Sequence, residues 1–229
     1  MTRSVLAGRG IKEAKTGHTL GRLTMQLFYA TDFVDRLENE MLPALRAGFI
    51  VLTDRYVYSA IARAEVRGLD PSWIRSLYGI ALVPDVVFYL RVNSAQELVQ
   101  RVLASGRRFD YWESGMDLHL GGDFYDSFIE YQSQMLKVFD RMSDEYGFQV
   151  LDASRSINRV AAVLRRAVAR FISTNGLCRS GVWKMPAMSA TSSSESCLLD
   201  LPKYRRDALR TSGRSASSTG VRMALAYRK

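Results

Sequence analysis

Residues 49–53 (Phe49, Ile50, Val51, Leu52, Thr53) form a short apolar run, set off by Gly48 and stopped abruptly by Asp54, Arg55 and Tyr56. A run of that length, rich in β-branched residues and lacking polar alternation, predicts a strand buried on both faces, as in a parallel sheet. Two further short runs, 85–92 and 148–152, have the same character, and helical patterns separate all three. Strands alternating with helices predict an α/β domain, a parallel sheet flanked by crossover helices in three αβα layers. Ligands of such sheets bind beyond the carboxyl ends of the strands. Asp54 and Arg55 therefore stand where a metal-bound phosphate would sit. The carboxylate can hold Mg²⁺ directly or through water, and the guanidinium can take two phosphate oxygens in a fork. The pair by itself equally fits an ordinary ion pair capping a strand.

Residues 20–46 carry an apolar stripe (Leu23, Leu27, Phe33, Val34, Leu37, Met41, Leu45) that predicts one long helix, closed by Gly48. A second helix is predicted over 56–66. A third starts at Asp70, with Pro71 in its first turn, and a fourth covers 94–103, with Ser94 as cap and Glu97 completing a capping box. Residues 105–120 are polar, punctuated by glycine and basic at one end, and predict a mobile connection. Long helices follow at 123–146 and 156–171. Residues 1–19 predict a connecting segment, 20–172 the α/β domain, and 173–229 a basic, low-complexity, disordered tail rich in Ser, Arg and Gly.

Charge and cysteine usage bound the function. The formal net charge is +9, but the ten basic and three acidic residues from Asn175 onward leave only +2 for everything before them. The globular part is nearly neutral, which argues against a nucleic-acid role for it. The tail lacks the regular aromatic interleaving of single-strand binders. Cys178 and Cys197 are the only cysteines, and no Cys/His cluster occurs, so no disulfide framework or structural zinc site is expected. The expected setting is the reducing cytoplasm, with no membrane association, because no segment approaches about 20 consecutive apolar residues.

Three segments, in this order and spacing, resemble the thymidylate kinase (dTMP kinase) family of P-loop nucleoside monophosphate kinases. Leu27-Phe28-Tyr29-Ala30-Thr31-Asp32-Phe33, with the later Leu42-Pro43-Ala44-Leu45-Arg46-Ala47-Gly48, is similar to the family's aromatic helix and the Pro-Ala-Leu segment before its strand. Val51-Leu52-Thr53-Asp54-Arg55-Tyr56, with Ser59 beyond it, resembles the family's Asp-Arg-Tyr/His motif. Pro84-Asp85 and the strand to Leu90 resemble the next one.

The resemblance implies an enzyme of nucleotide and dTTP biosynthesis, a transferase moving a phosphoryl group from ATP, with Mg²⁺, to dTMP or a related nucleoside monophosphate. It implies that Asp54 lies near the metal and the acceptor, and that Arg55 binds the acceptor phosphate with Tyr56 beside it. Tyr29 or Phe28 would stack on the base; read back without a gap from Pro43, Tyr29 is the stacker. Phe33 then stands where the family usually has arginine, and Arg36, one turn on, can reach the same space. Ser59 would face the nucleotide. Arg63 lies where the family's Tyr-Gln-Gly segment is replaced. Arg101, Arg107 and Arg108 would contact ATP phosphates and developing charge from a lid. The resemblance also implies a homodimer to which the 20–46 helix contributes. Each of these side chains has a plainer alternative: Phe28 and Tyr29 as core, Arg107 and Arg108 as solvated loop charges.

The family's Gly-x-x-x-x-Gly-Lys-Ser/Thr phosphate loop has no counterpart in these residues, although Gly8, Gly10, Lys15, Thr16 and Gly17 supply the right letters. Residues 1–19 resemble the connection after the family's first helix. The chain thus resembles a member truncated before its first strand, phosphate loop and first helix, with exposed strand edges and impaired transfer expected. A non-catalytic nucleotide-binding remnant is the alternative reading. Nucleic-acid binding through the basic tail is a weaker one.

Overall fold

The computed structural model describes residues 5–17, 20–106 and 108–174, together with two strands at 198–199 and 222–226. Thirteen residues open it as helix α1 (Val5–Gly17). There follow α2 (Arg22–Arg36), a π-helical turn (Leu37–Met41), α3 (Leu42–Arg46), β1 (Ile50–Asp54), α4 (Val57–Val66), α5 (Pro71–Leu77), β2 (Val86–Arg91) and α6 (Ala95–Ala104). A 3₁₀ turn (Met116–Leu118) leads into α7 (Phe124–Tyr146), β3 (Gln149–Asp152), α8 (Ile157–Thr174), β4 (Leu198–Leu199) and β5 (Arg222–Ala226).

Local chemistry sets most of these boundaries. Asp70 accepts from the Trp73 amide at 2.7 Å, Ser94 caps the Glu97 amide, and Asp123 caps the Asp126 amide. The 20–46 helix is interrupted where Pro43 follows. Proline cannot donate the i→i−4 bond, and the wider π turn just ahead of it takes up the misfit while Leu37 and Met41 stay buried. Residues 5–17 are helical rather than a bare connection. Ile11 and Ala14 are buried, and Gly10 lets α1 approach α2 so closely that a Cβ there would lie 2.7 Å from the Phe28 ring.

The sheet order is β3-β2-β5-β1-β4. β1, β2, β3 and β5 run parallel, and β4 pairs antiparallel with β1. Side chains alternate between the two sheet faces. Val51, Val87 and Tyr89 join the larger core with Tyr58, Ile61, Phe139 and Met142, while Ile50, Val86 and Phe88 pack with Val168 and Ile172 of α8 on the other face. The three-layer α/β reading therefore holds. Among the described residues no helix is long and apolar enough to cross a membrane.

The central strand comes from a stretch to which the sequence reading assigned no element. β5 lies between β1 and β2, with Ala224 opposite both Thr53 and Val87. It covers the inner edges that the resemblance leaves open. Cys178 and Cys197 lie outside the described residues. Because a strand paired on both sides cannot lose an amide without losing a ladder bond, Ala224→Pro is expected to lower the thermal midpoint by roughly 6 °C or more. A melting curve superimposable on that of the unaltered chain would remove β5 from the sheet centre.

Candidate acceptor site at the end of the first strand

Strand β1 ends in Asp54, and the next residue turns sharply. Arg55 has φ 57°, in the left-handed region that non-glycine residues avoid. Holding it there costs of order 1–3 kcal/mol, so the surrounding structure must over-determine the conformation. The turn sends the Arg55 side chain into a cavity of about 220 Å³. Its walls come from α1 (Ile11), α2 (Gln26, Tyr29, Asp32, Phe33, Arg36), the β1 end and α4 (Ser59, Arg63), with Tyr78 closing the floor.

Two guanidiniums converge here on one carboxylate. Glu113 Oε1 lies 3.4 Å from Arg55 Nη2 and 3.8 Å from Arg63 Nη2. Burial and then the nearby Arg63 push the Arg55 guanidinium below its ordinary value, while Glu113 and Asp54 pull the other way. Ser59 is buried and lines the same cavity, and its hydroxyl has no hydrogen-bond partner among the described residues. A buried unsatisfied hydroxyl on a residue that lines the cavity, beside two cations, suits an anionic, hydrogen-bonding ligand.

Tyr29 lines the cavity, with the Lys15 ammonium 6.0 Å from its ring centre, whereas Phe28 turns towards Gly10 of α1. Of the two, Tyr29 is the one that lines the cavity. Arg36 reaches the cavity, paired with Asp32 at 3.2 Å, beside Phe33. Gln26 donates to the Tyr78 hydroxyl at 2.8 Å, and burial pushes the Tyr78 phenol well above its ordinary value. Tyr56, expected at the substrate, is instead core. Its ring meets Phe33 edge-on and its hydroxyl donates to the Leu82 carbonyl at 2.8 Å.

The lid-side arginines are not gathered at this cavity. Arg101 is held by Glu97 at 2.6 Å and by the Ala153 carbonyl, beyond the end of β3. Arg108 is exposed, and Arg107 lies outside the described residues. The 105–120 segment, expected to be mobile, is tied down over its second half. Arg67 donates to Asp117 at 2.8 and 3.1 Å, to the Tyr131 hydroxyl at 2.6 Å and to the Trp112 carbonyl at 2.9 Å. Ser127 donates to the Ser114 carbonyl, and Gln132 to that of Glu113.

The family's metal and donor nucleotide fit these residues unequally. Among the described residues no group of three or more His, Cys, Asp or Glu could cage a metal. Mg²⁺, however, commonly binds through one or two carboxylates plus substrate phosphates. Asp54, exposed at the strand end and lining the cavity, fits that part. The lid-side arginines expected at the donor phosphates are not among the residues that line this cavity.

Gln26 and Tyr78 line the cavity but were not singled out in the sequence. Gln26 did leave a signal: it stands three residues before Tyr29 and seven before Phe33, a polar side chain on an apolar helix face.

The family model described as Thymidylate kinase matches residues 2–163. The chain is 36% identical over 163 residues to a probable thymidylate kinase 2 of Saccharolobus solfataricus, covering 71% of this chain and 76% of that protein. It is 29% identical to a probable thymidylate kinase of Pyrobaculum calidifontis, covering 71% and 78%, and 30% identical to the thymidylate kinase of Gloeobacter violaceus, covering 65% and 68%.

Proposed function

The chain belongs to the thymidylate kinase family of nucleoside monophosphate kinases, and from that premise we propose that its cavity is the acceptor site for dTMP or a closely related monophosphate. The observation that carries the proposal is the convergence of Arg55, Arg63, Ser59 and Tyr29 on one cavity at the carboxyl end of β1. Arg55 and Arg63 take the phosphate oxygens. Two guanidiniums from adjacent elements suit a dianion better than a single carboxylate does. Ser59 donates its otherwise unpartnered hydroxyl to the nucleotide. Tyr29 offers a ring face to the base. Asp54 is the residue that would hold Mg²⁺ beside the accepting oxygen, and the metal when bound would neutralise charge on the transferring group.

The donor side is the weaker half. No Gly-x-x-x-x-Gly-Lys-Ser/Thr occurs in the 229 residues, and Arg101 is already engaged by Glu97. That favours a second reading, a nucleotide-binding protein that does not carry out transfer by itself. The 229-residue chain, given Mg-ATP and dTMP, is expected to bind dTMP while producing dTDP at or near the background rate. Robust dTDP formation in a coupled or chromatographic assay would overturn the view that the donor half is deficient, and would leave the acceptor assignment standing.

A further inference from the structure

Two acid–base contacts lie four residues apart in the segment that pairs with the arginines of α4 and the β1 end, and they are built differently. The Arg67–Asp117 pair is short and doubly bonded, with both side chains at most 16% exposed. The Glu113 contacts are long, share one carboxylate oxygen between two arginines, and leave the Glu113 side chain 36% exposed. Charge-assisted hydrogen bonds close at about 2.7–2.9 Å, so neither arginine is saturated by Glu113. The Glu113 backbone, by contrast, is anchored. Its amide donates to Asp110 Oδ1 at 3.0 Å and its carbonyl accepts from Gln132. A fixed backbone with a loosely paired, part-exposed side chain describes a carboxylate that can leave without disturbing the segment that carries it.

We propose that Glu113 is an exchangeable internal counter-ion: its carboxylate holds the anion position between Arg55 and Arg63, and the acceptor phosphate takes that position by displacing it. The inference rests on the acceptor-site reading above and adds a selectivity device to it. A monoanionic carboxylate sharing one oxygen is readily outcompeted by a phosphate dianion that offers three oxygens. A ligand without a phosphate gains nothing by evicting Glu113 and would leave the arginines as they are. Glu113 therefore sets the threshold of anion strength for entry and keeps two like charges compensated between binding events.

The test is a calorimetric titration of the full chain, its Glu113→Gln variant and its Arg55→Ala variant with dTMP, inorganic phosphate and thymidine. Glu113→Gln keeps the shape and removes the charge. It is expected to tighten dTMP and inorganic phosphate by about two- to fivefold, the scale of one partly exposed ion pair, with thymidine affinity and melting temperature unchanged. If Glu113→Gln leaves dTMP affinity unchanged or weakens it while Arg55→Ala still abolishes binding, the counter-ion role is overturned and the acceptor site survives. If Arg55→Ala has no effect on dTMP, both fall together. Glu113→Ala, which also removes bulk, should tighten phosphate binding in the same direction; tightening by one variant and weakening by the other would mean a packing effect and would also overturn the proposal.

Discussion

Arg55→Ala is expected to weaken dTMP binding by at least about 100-fold, because removing one partner of a desolvated charge contact commonly costs 2–5 kcal/mol. Arg55 is the residue at which strain, burial and charge coincide. Its backbone sits at φ 57°, its side chain is 24% exposed, and Arg63 and Glu113 flank the guanidinium. A structural ion pair would not need a disfavoured backbone conformation to form. Arg55→Gly separates the two roles. Glycine adopts a positive φ without penalty, so this variant should lose dTMP as fully as the alanine variant while its melting temperature does not fall. A large loss of stability in Arg55→Gly, with dTMP affinity retained, would make Arg55 a structural residue.

The second large effect falls on stability rather than binding. Arg67→Ala removes a guanidinium that bonds Asp117, the Tyr131 hydroxyl and the Trp112 carbonyl, and it leaves Asp117 without its partner. Burial alone would lower the Arg67 value, but Tyr131 and Asp117 more than offset it and hold the group firmly charged. Breaking such a buried contact costs about 3–5 kcal/mol. For a chain of this size that corresponds to roughly 6–20 °C in melting temperature. The loss should be local first. Residues 110–118 would detach from α4 and α7, and Trp112, 5.9 Å from the Arg67 guanidinium, would report it by a change in fluorescence. Arg67→Lys keeps the charge without the planar fork and should fall between the two. A melting temperature within a degree or two of the unaltered chain would mean that the segment is held by something other than Arg67.

The contrast between Arg55 and Arg67 marks what a sequence can disclose. Asp54 and Arg55 were legible because an apolar strand stops abruptly at them, and the helix starts at Asp70 and Ser94 because their caps are local. Tyr29 was legible to within one residue. The anchoring role of Arg67 was not, because its partners lie 45 to 64 residues away and no local period points to them. Residues 105–120 therefore read as a free polar loop, although the structure pins their second half. Helix α1 was obscured by Gly8, Gly10 and Gly17, which weaken a helical reading. Yet Gly10 is what allows the close approach to Phe28. Strand β5 is five residues in a stretch dominated by Ser, Arg and Gly, and its placement depends wholly on the two strands it joins. Tyr56 shows the opposite failure: its neighbours line the cavity, but its own ring is buried in the core against Phe33.

The central claim is that the cavity recognises a nucleotide through its phosphate. The most direct measurement is the titration of the unaltered chain with dTMP and with thymidine at low and moderate salt. dTMP is expected to bind about 100-fold more tightly than thymidine, with the difference shrinking as ionic strength rises. Equal affinities for the two ligands at low salt would contradict the assignment of Arg55 and Arg63 as the phosphate site.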